Sequence, residues 1–276
     1  MAATTEAETH AHSDDTPDTP DTDPTPATAP VPAGSGRRLR LPGGVRRALA
    51  LVVAAHPRQL VVTAAAVALA AFVGGRPMSE VGLVALTVAL GQAILGWHND
   101  IVDRATDAAA GRTDKPLATG VLETGTVWFA VACATLALVP VAVANGLVAA
   151  AAYVVGLVVA LVGNLVLRGG VLSWLPWALS FATYPVFLSY GGLGGQHRGE
   201  PPVVEMVVLA ALLGICVHVL RALPGLVQDN RDGRRHLALR VAVKTGATRL
   251  LLLTSVATAA VLVGIAITAG TVGLTR

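Results

Sequence analysis

Residues 81–107 read VGLVALTVALGQAILGWHNDIVDRATD. The first nineteen of these contain no Asp, Glu, Lys or Arg, whereas the last eight contain three aspartates. About 20 apolar residues in a helix cross the roughly 30 Å hydrocarbon layer of a bilayer. The stretch therefore predicts a spanning helix that leaves the hydrocarbon near Asp100. Working outward, runs of similar character recur at about 56–74, 121–142, 145–166, 171–190, 203–223 and 248–270. They are continuous rather than alternating, which argues against a β-barrel. The fold expected is all-α, a polytopic transmembrane helical bundle of seven spans.

Composition agrees. Of 276 residues, 54% are hydrophobic and 13% charged, with a mean hydropathy of +0.65. A soluble domain carries about 25% charged residues, so an aqueous globule is excluded. Residues 1–36, rich in Thr, Pro, Asp and Ala, read as a disordered tail, with no apolar run of signal-peptide type. Residues 37–55 read as a basic juxtamembrane segment carrying Arg37, Arg38, Arg40, Arg46 and Arg47, and 56–276 as the transmembrane domain. Cys133 and Cys216 sit apart in apolar runs and suggest neither a disulfide framework nor a zinc site. With the N-terminus in the cytoplasm, 17 of the 20 basic residues fall on the cytoplasmic side, a strong positive-inside bias. That pattern predicts a multi-pass cell-membrane protein, and it accounts for the basic pI without nucleic acid.

Beyond the tail, the same alternation puts every Asp on the cytoplasmic side, in the segments after spans two and six. In the first, Asp100, Asp103 and Asp107 stand at i, i+3 and i+7, on one helical face, and Asn99 stands four before Asp103. Carboxylates so grouped repel unless cations lie between them. One resolution is a solvated helix end paired with Arg104 and Arg112. The other is Mg²⁺, which takes oxygen ligands from one or two carboxylates together with substrate phosphates. Arg112 and Lys115, which follow in GRTDKPLATG (111–120), add the cations a diphosphate would need.

The pattern Asn-Asp-x-x-Asp-x-x-x-Asp at 99–107, followed by Arg-Thr-x-Lys-Pro-Leu-x-x-Gly at 112–120, resembles the first signature of the UbiA superfamily of membrane prenyltransferases. The resemblance implies a helical bundle, typically of nine spans. It would transfer a prenyl group from a diphosphate to a hydrophobic or aromatic acceptor, with Mg²⁺ held by Asp100, Asp103 and Asp107. Asn99, Arg112 and Lys115 would help bind the diphosphate. Arg168, with Asn164 at the end of span four, resembles a position where a cation faces the diphosphate, although simple anchoring would also explain it. The second segment, RALPGLVQDNRDGRRHL (221–237), is less regular. The family pattern there has three Asp before Gly-x-Arg-x-Leu. Counting back from Gly233 gives Ala222, Gly225 and Asp229, whereas counting forward from Asp229 gives Asp229, Asp232 and His236. The first register keeps the Leu-Pro step and is preferred. Asp229 is common to both and joins the expected metal and catalytic set, with Asp232 beside the substrate. Fewer acids imply weaker metal binding here, or charge neutralisation by Arg221, Arg231 or Arg235. His98 and His218, near the same boundary, read first as structural residues.

The function expected is thus Mg²⁺-dependent prenyl transfer, to an aromatic or lipid acceptor. A membrane terpene cyclase would ionise the same diphosphate, and a degenerate, non-catalytic binder of isoprenoid diphosphates would explain the depleted second segment. Against the nine spans of the resemblance, the seven read here lack the last hairpin. That would leave one cavity wall open unless a homo-oligomer closes it.

Overall fold

The apolar runs become helices because a backbone in hydrocarbon must satisfy its own hydrogen bonds. The structure, a computed structural model, describes residues 42–193 and 199–272. The tail 1–36 and Arg37, Arg38 and Arg40 lie outside the described residues. Among these, every regular element is helical: α1 (Gly43–Ala54), α2 (Pro57–Val73), α3 (Met78–Ala109), α4 (Thr124–Ala144), α5 (Leu147–Val166), α6 (Leu175–Ser189), α7 (Val204–Ala222), α8 (Leu226–Arg231), α9 (Leu237–Thr245) and α10 (Ala247–Val272). Short 3₁₀ turns at Val171–Trp174 and Leu223–Gly225 precede α6 and α8. Six helical segments are long and apolar enough to cross a membrane, or seven if α1 and α2, bent by 55° at their junction, form one broken span. The expected helical bundle is thus observed; the run at 56–74 becomes α2, which counts as a span only together with α1, and the run at 81–99 lies within the longer α3.

Local chemistry sets the breaks. Pro57 disfavours helical geometry at the residue before it, and His56 turns the corner in the left-handed region at φ 55°, ψ 61°. The α4–α5 turn places Gly146 at φ 105°, a backbone conformation that suits glycine. Neighbours in sequence pack in space: α2 on α3, α3 on α4, α4 on α5, α5 on α6, α6 on α7 and α7 on α10, with α3 also touching α5. Close approach of α6 and α7 depends on Gly214, where a Cβ would collide with the Trp177 carbonyl and the Phe181 side chain. In lipid, where burial gives helices no hydrophobic drive to associate, such small residues let dispersion contacts form.

The main core lies between α2 and α6 and includes Val84, Val88, Leu138, Ala149, Tyr153 and Phe187. A second cluster joins α7, α8, α9 and α10 through Val219, Leu226, Ala238, Leu239 and Leu250. A third fastens α1: Ala50 and Ala54 pack with Leu117, Leu122 and Val127, and the Trp97 indole donates to the Leu51 carbonyl at 2.9 Å. The basic segment therefore contains a helix docked on the bundle. Facing outward, Phe129, Leu136 and Leu147 are 71%, 75% and 75% exposed, the signature of a lipid-facing surface. α3 has 32 residues, a length of about 48 Å. It overshoots the hydrocarbon, and its last turns carry Asp100, Asp103 and Asp107 out of it.

Candidate functional site

A cavity of about 270 Å³ lies between α2, α3, α5, α6 and α7. Apolar groups such as Leu95, Leu157, Phe181 and Val217 line most of it, whereas His56, Gln59, Asn99, Asn164, Arg168 and Arg221 gather where these helices emerge. Amide, imidazole and guanidinium groups thus face the space, and the carboxylates stand one layer behind them.

Asp100 is the most enclosed, at 2% exposed. Its Oδ1 lies 2.8 Å from His56 Nε2 and 2.6 Å from Lys115 Nζ. A carboxylate only accepts hydrogen bonds, so Lys115 donates to it, as does His56 in the tautomer with its hydrogen on Nε2; Lys115 Nζ also stands 3.0 Å from that nitrogen. The Oδ2 of Asp100 is buried without a hydrogen-bond partner. One turn on, Asp103 accepts from Arg168 Nη1, an ion pair that ties α3 to the α5–α6 connection. Asp107, a further turn along, is half-buried, and among the described residues its carboxylate forms no hydrogen bond or ion pair, while its backbone carbonyl accepts from the Arg112 N–H at 3.0 Å. Arg104 instead donates to Thr124 Oγ1 at 3.2 Å. Arg112 forms a bidentate pair with Asp114 at 2.7 and 2.8 Å. That guanidinium draws the Asp114 carboxyl down to about 2 and is itself shifted upward in return. Asp100 and Asp103 are therefore contacted directly by His56, Lys115 and Arg168, whereas Arg104 and Arg112 make their hydrogen bonds elsewhere.

The second cluster is built differently. Asp229 Oδ2 lies 3.0 Å from His236 Nε2, and Oδ1 lies 3.4 Å from Arg234. His236 caps α9 by accepting the Leu239 N–H on Nδ1 at 3.3 Å. Asp232 is exposed and accepts from Gln228 at 2.8 Å. Of the residues in this segment, Arg221 and Ala222 line the cavity. Arg221 donates to Gln59 Oε1 and sits 5.4 Å from the Trp177 ring centroid. Gln59 in turn donates to Gln92 Oε1 at 3.2 Å, so a polar bridge crosses from α7 through α2 to α3. His218 also lines the cavity and shares a 3.0 Å hydrogen bond with Ser173, whereas His98 lies edge-on to Trp128.

Sequence reasoning missed His56, which stands 2.8 Å from Asp100, because the two are 44 positions apart. The His-Pro step at the start of an apolar run was the one local signal.

Comparison with known protein families matches residues 60–275 to the UbiA prenyltransferase family. The chain belongs to this family. A solved structure, that of a UbiA homolog from Archaeoglobus fulgidus bound to DMAPP and Mg²⁺, superposes with a TM-score of 0.59. The two are 17% identical, over 78% of this chain and 75% of that one, so the likeness is one of fold. No curated protein matches the sequence. With its apolar helices, this UbiA-family chain is a multi-pass membrane protein.

The donor set bears on whether a divalent cation fits. Among the described residues, no three His, Cys, Asp or Glu side chains converge as a metal cage made of protein alone. Mg²⁺ commonly takes one or two carboxylates and completes its shell with phosphate oxygens and water. The unpartnered Oδ2 of Asp100, with Asp103 one turn on, suits that arrangement.

Proposed function

We propose that this protein transfers a prenyl group from a prenyl diphosphate to an aromatic or lipid acceptor at the cytoplasmic face of the cell membrane. The observation that carries the reading is the cavity: its lining surface is largely apolar, and it includes Asn99 and Arg168 beside the last turns of α3 that bear the aspartates. A prenyl diphosphate has the same division, a hydrocarbon chain and an anionic head. Membership of a prenyltransferase family supports it, as does the DMAPP and Mg²⁺ bound by the Archaeoglobus fulgidus homolog of like fold.

Asp100 and Asp103 would hold Mg²⁺, with Asp107 a turn beyond. When bound, the ion would offset the charge of the departing diphosphate. The chain's own groups do the rest. Asn99 donates an amide N–H toward the phosphates, and Arg168 presents its guanidinium at the same end of the cavity. Lys115 and His56 fix Asp100 by hydrogen bonds, so one carboxylate oxygen stays oriented and the other free. Apolar walls between α3, α5, α6 and α7 exclude water from the allylic carbon, protecting the electron-deficient centre until the acceptor attacks. The cytoplasmic placement of the N-terminus rests on the positive-inside bias. The tail 1–36 and the basic segment 37–55 would lie ahead of the catalytic bundle.

The test is turnover of labelled geranylgeranyl diphosphate in membranes containing Asp103→Ala. Loss of a transition-state charge contact should lower the rate by about 100-fold or more. Unchanged turnover sinks the assignment. A cyclic hydrocarbon formed without acceptor would turn the reading to a cyclase.

A further inference from the structure

The two acidic segments end in opposite electrostatic arrangements. On α3, a carboxylate oxygen is buried and unclaimed at Asp100 Oδ2. On the α7–α8 side, both oxygens of Asp229 are claimed. The Leu239 N–H on His236 Nδ1 fixes the tautomer, so Nε2 carries the hydrogen and donates to Asp229 Oδ2, while Arg234 pairs with Oδ1. Asp229 thereby ties α8 to the first turn of α9; like the aspartates of α3, it stands behind the cavity lining, but with both its oxygens already paired. What α7 does present there is Arg221. Its guanidinium is oriented by Gln59 and by the Trp177 ring, and among the described residues Gln59 is its only hydrogen-bond partner. A guanidinium has five N–H donors and suits phosphate geometry, so donors remain for an anion.

We infer that this wall of the cavity meets the diphosphate through direct contact with Arg221, without a second metal ion. The site takes one divalent cation, on the α3 side, and Asp229 is a positioning residue for the α8–α9 corner. The inference rests on the reading above that the cavity holds a prenyl diphosphate.

The test uses the full chain in lipid nanodiscs, with Mn²⁺ as a paramagnetic probe and inorganic pyrophosphate as the anion. With pyrophosphate present, one Mn²⁺ should bind per chain, giving an electron paramagnetic resonance spectrum without spin coupling. Arg221→Gln should weaken pyrophosphate binding without metal by about tenfold or more, the scale of a lost charged hydrogen bond. Arg221→Lys should recover part of that loss, and Mn²⁺ affinity should stay unchanged in both. Asp229→Asn should leave both affinities within about twofold while lowering the melting temperature, through loss of the charged contacts at the α8–α9 corner. Two coupled Mn²⁺ ions per chain, or a tenfold loss of Mn²⁺ affinity in Asp229→Asn, overturns the inference and leaves the transferase reading standing. Pyrophosphate that binds the wild type under neither condition overturns both. If Arg221→Gln fails to fold, the wild-type stoichiometry still decides.

Discussion

Lys115 and His56 together decide the state of the most deeply placed carboxylate. With Asp100 at 2% exposed, its charge depends on these two donors. Removing one partner of a buried pair costs about 3–5 kcal/mol, because the other charge is left uncompensated. Lys115→Met should therefore destabilise the protein by that order, and Asp100→Asn in the same chain should restore part of it. Thermal denaturation in detergent reads both; a double variant less stable than Lys115→Met alone would contradict the pairing. The spacing of Asp100 and Asp103 was readable because both lie on one helix, where periodicity fixes which side chains share a face. Lys115 was legible as a cation close in sequence to that face, but the other two partners were not. His56 and Arg168 reach them from elements 44 and 65 positions away, and no local pattern records a contact of that separation.

At the scale of elements, the spans were legible because hydrocarbon imposes a length and forbids charge, so α3 to α7 and α10 fall where the runs of the sequence put them. The helix α1 was not, since its basic residues read as a surface anchor while Ala50 and Ala54 quietly supply a packing face. The α6–α7 contact carries its own prediction. Gly214→Leu should force the helices apart at Trp177 and Phe181, costing about 1–3 kcal/mol by overpacking. The same displacement should carry His218 and Arg221 away from the cavity and weaken pyrophosphate binding. Melting curves and equilibrium dialysis measure the two effects, and a variant with normal stability and affinity would show that the contact relaxes freely.

For the whole molecule, the proposed orientation rests on where the cations lie in the sequence. After both native cysteines are replaced, a cysteine at Ser79, in the exposed first turn of α3, should react with an impermeant maleimide in intact cells. A cysteine at Thr113, exposed in the connection after α3, should react only once the membrane is opened. The reverse pattern would invert the topology and put the site on the outer face. Every long helix turns large apolar side chains outward, Met78 and Leu86 on α3 among them, but α3, packed by α2 and α4, is the most buried of the candidate spans. The helix bearing the aspartates is thus the one most shielded from lipid.

The left-handed corner at His56 imposes two filters on one position. The backbone there admits glycine, asparagine, aspartate or histidine far more readily than a branched residue. The carboxylate beneath it asks for a donor long enough to arrive at Oδ1. Glycine passes the first filter and lysine the second; aspartate would bring a second negative charge. Histidine satisfies both, so the residue that bends the chain is also the one that holds the site's deepest charge in place.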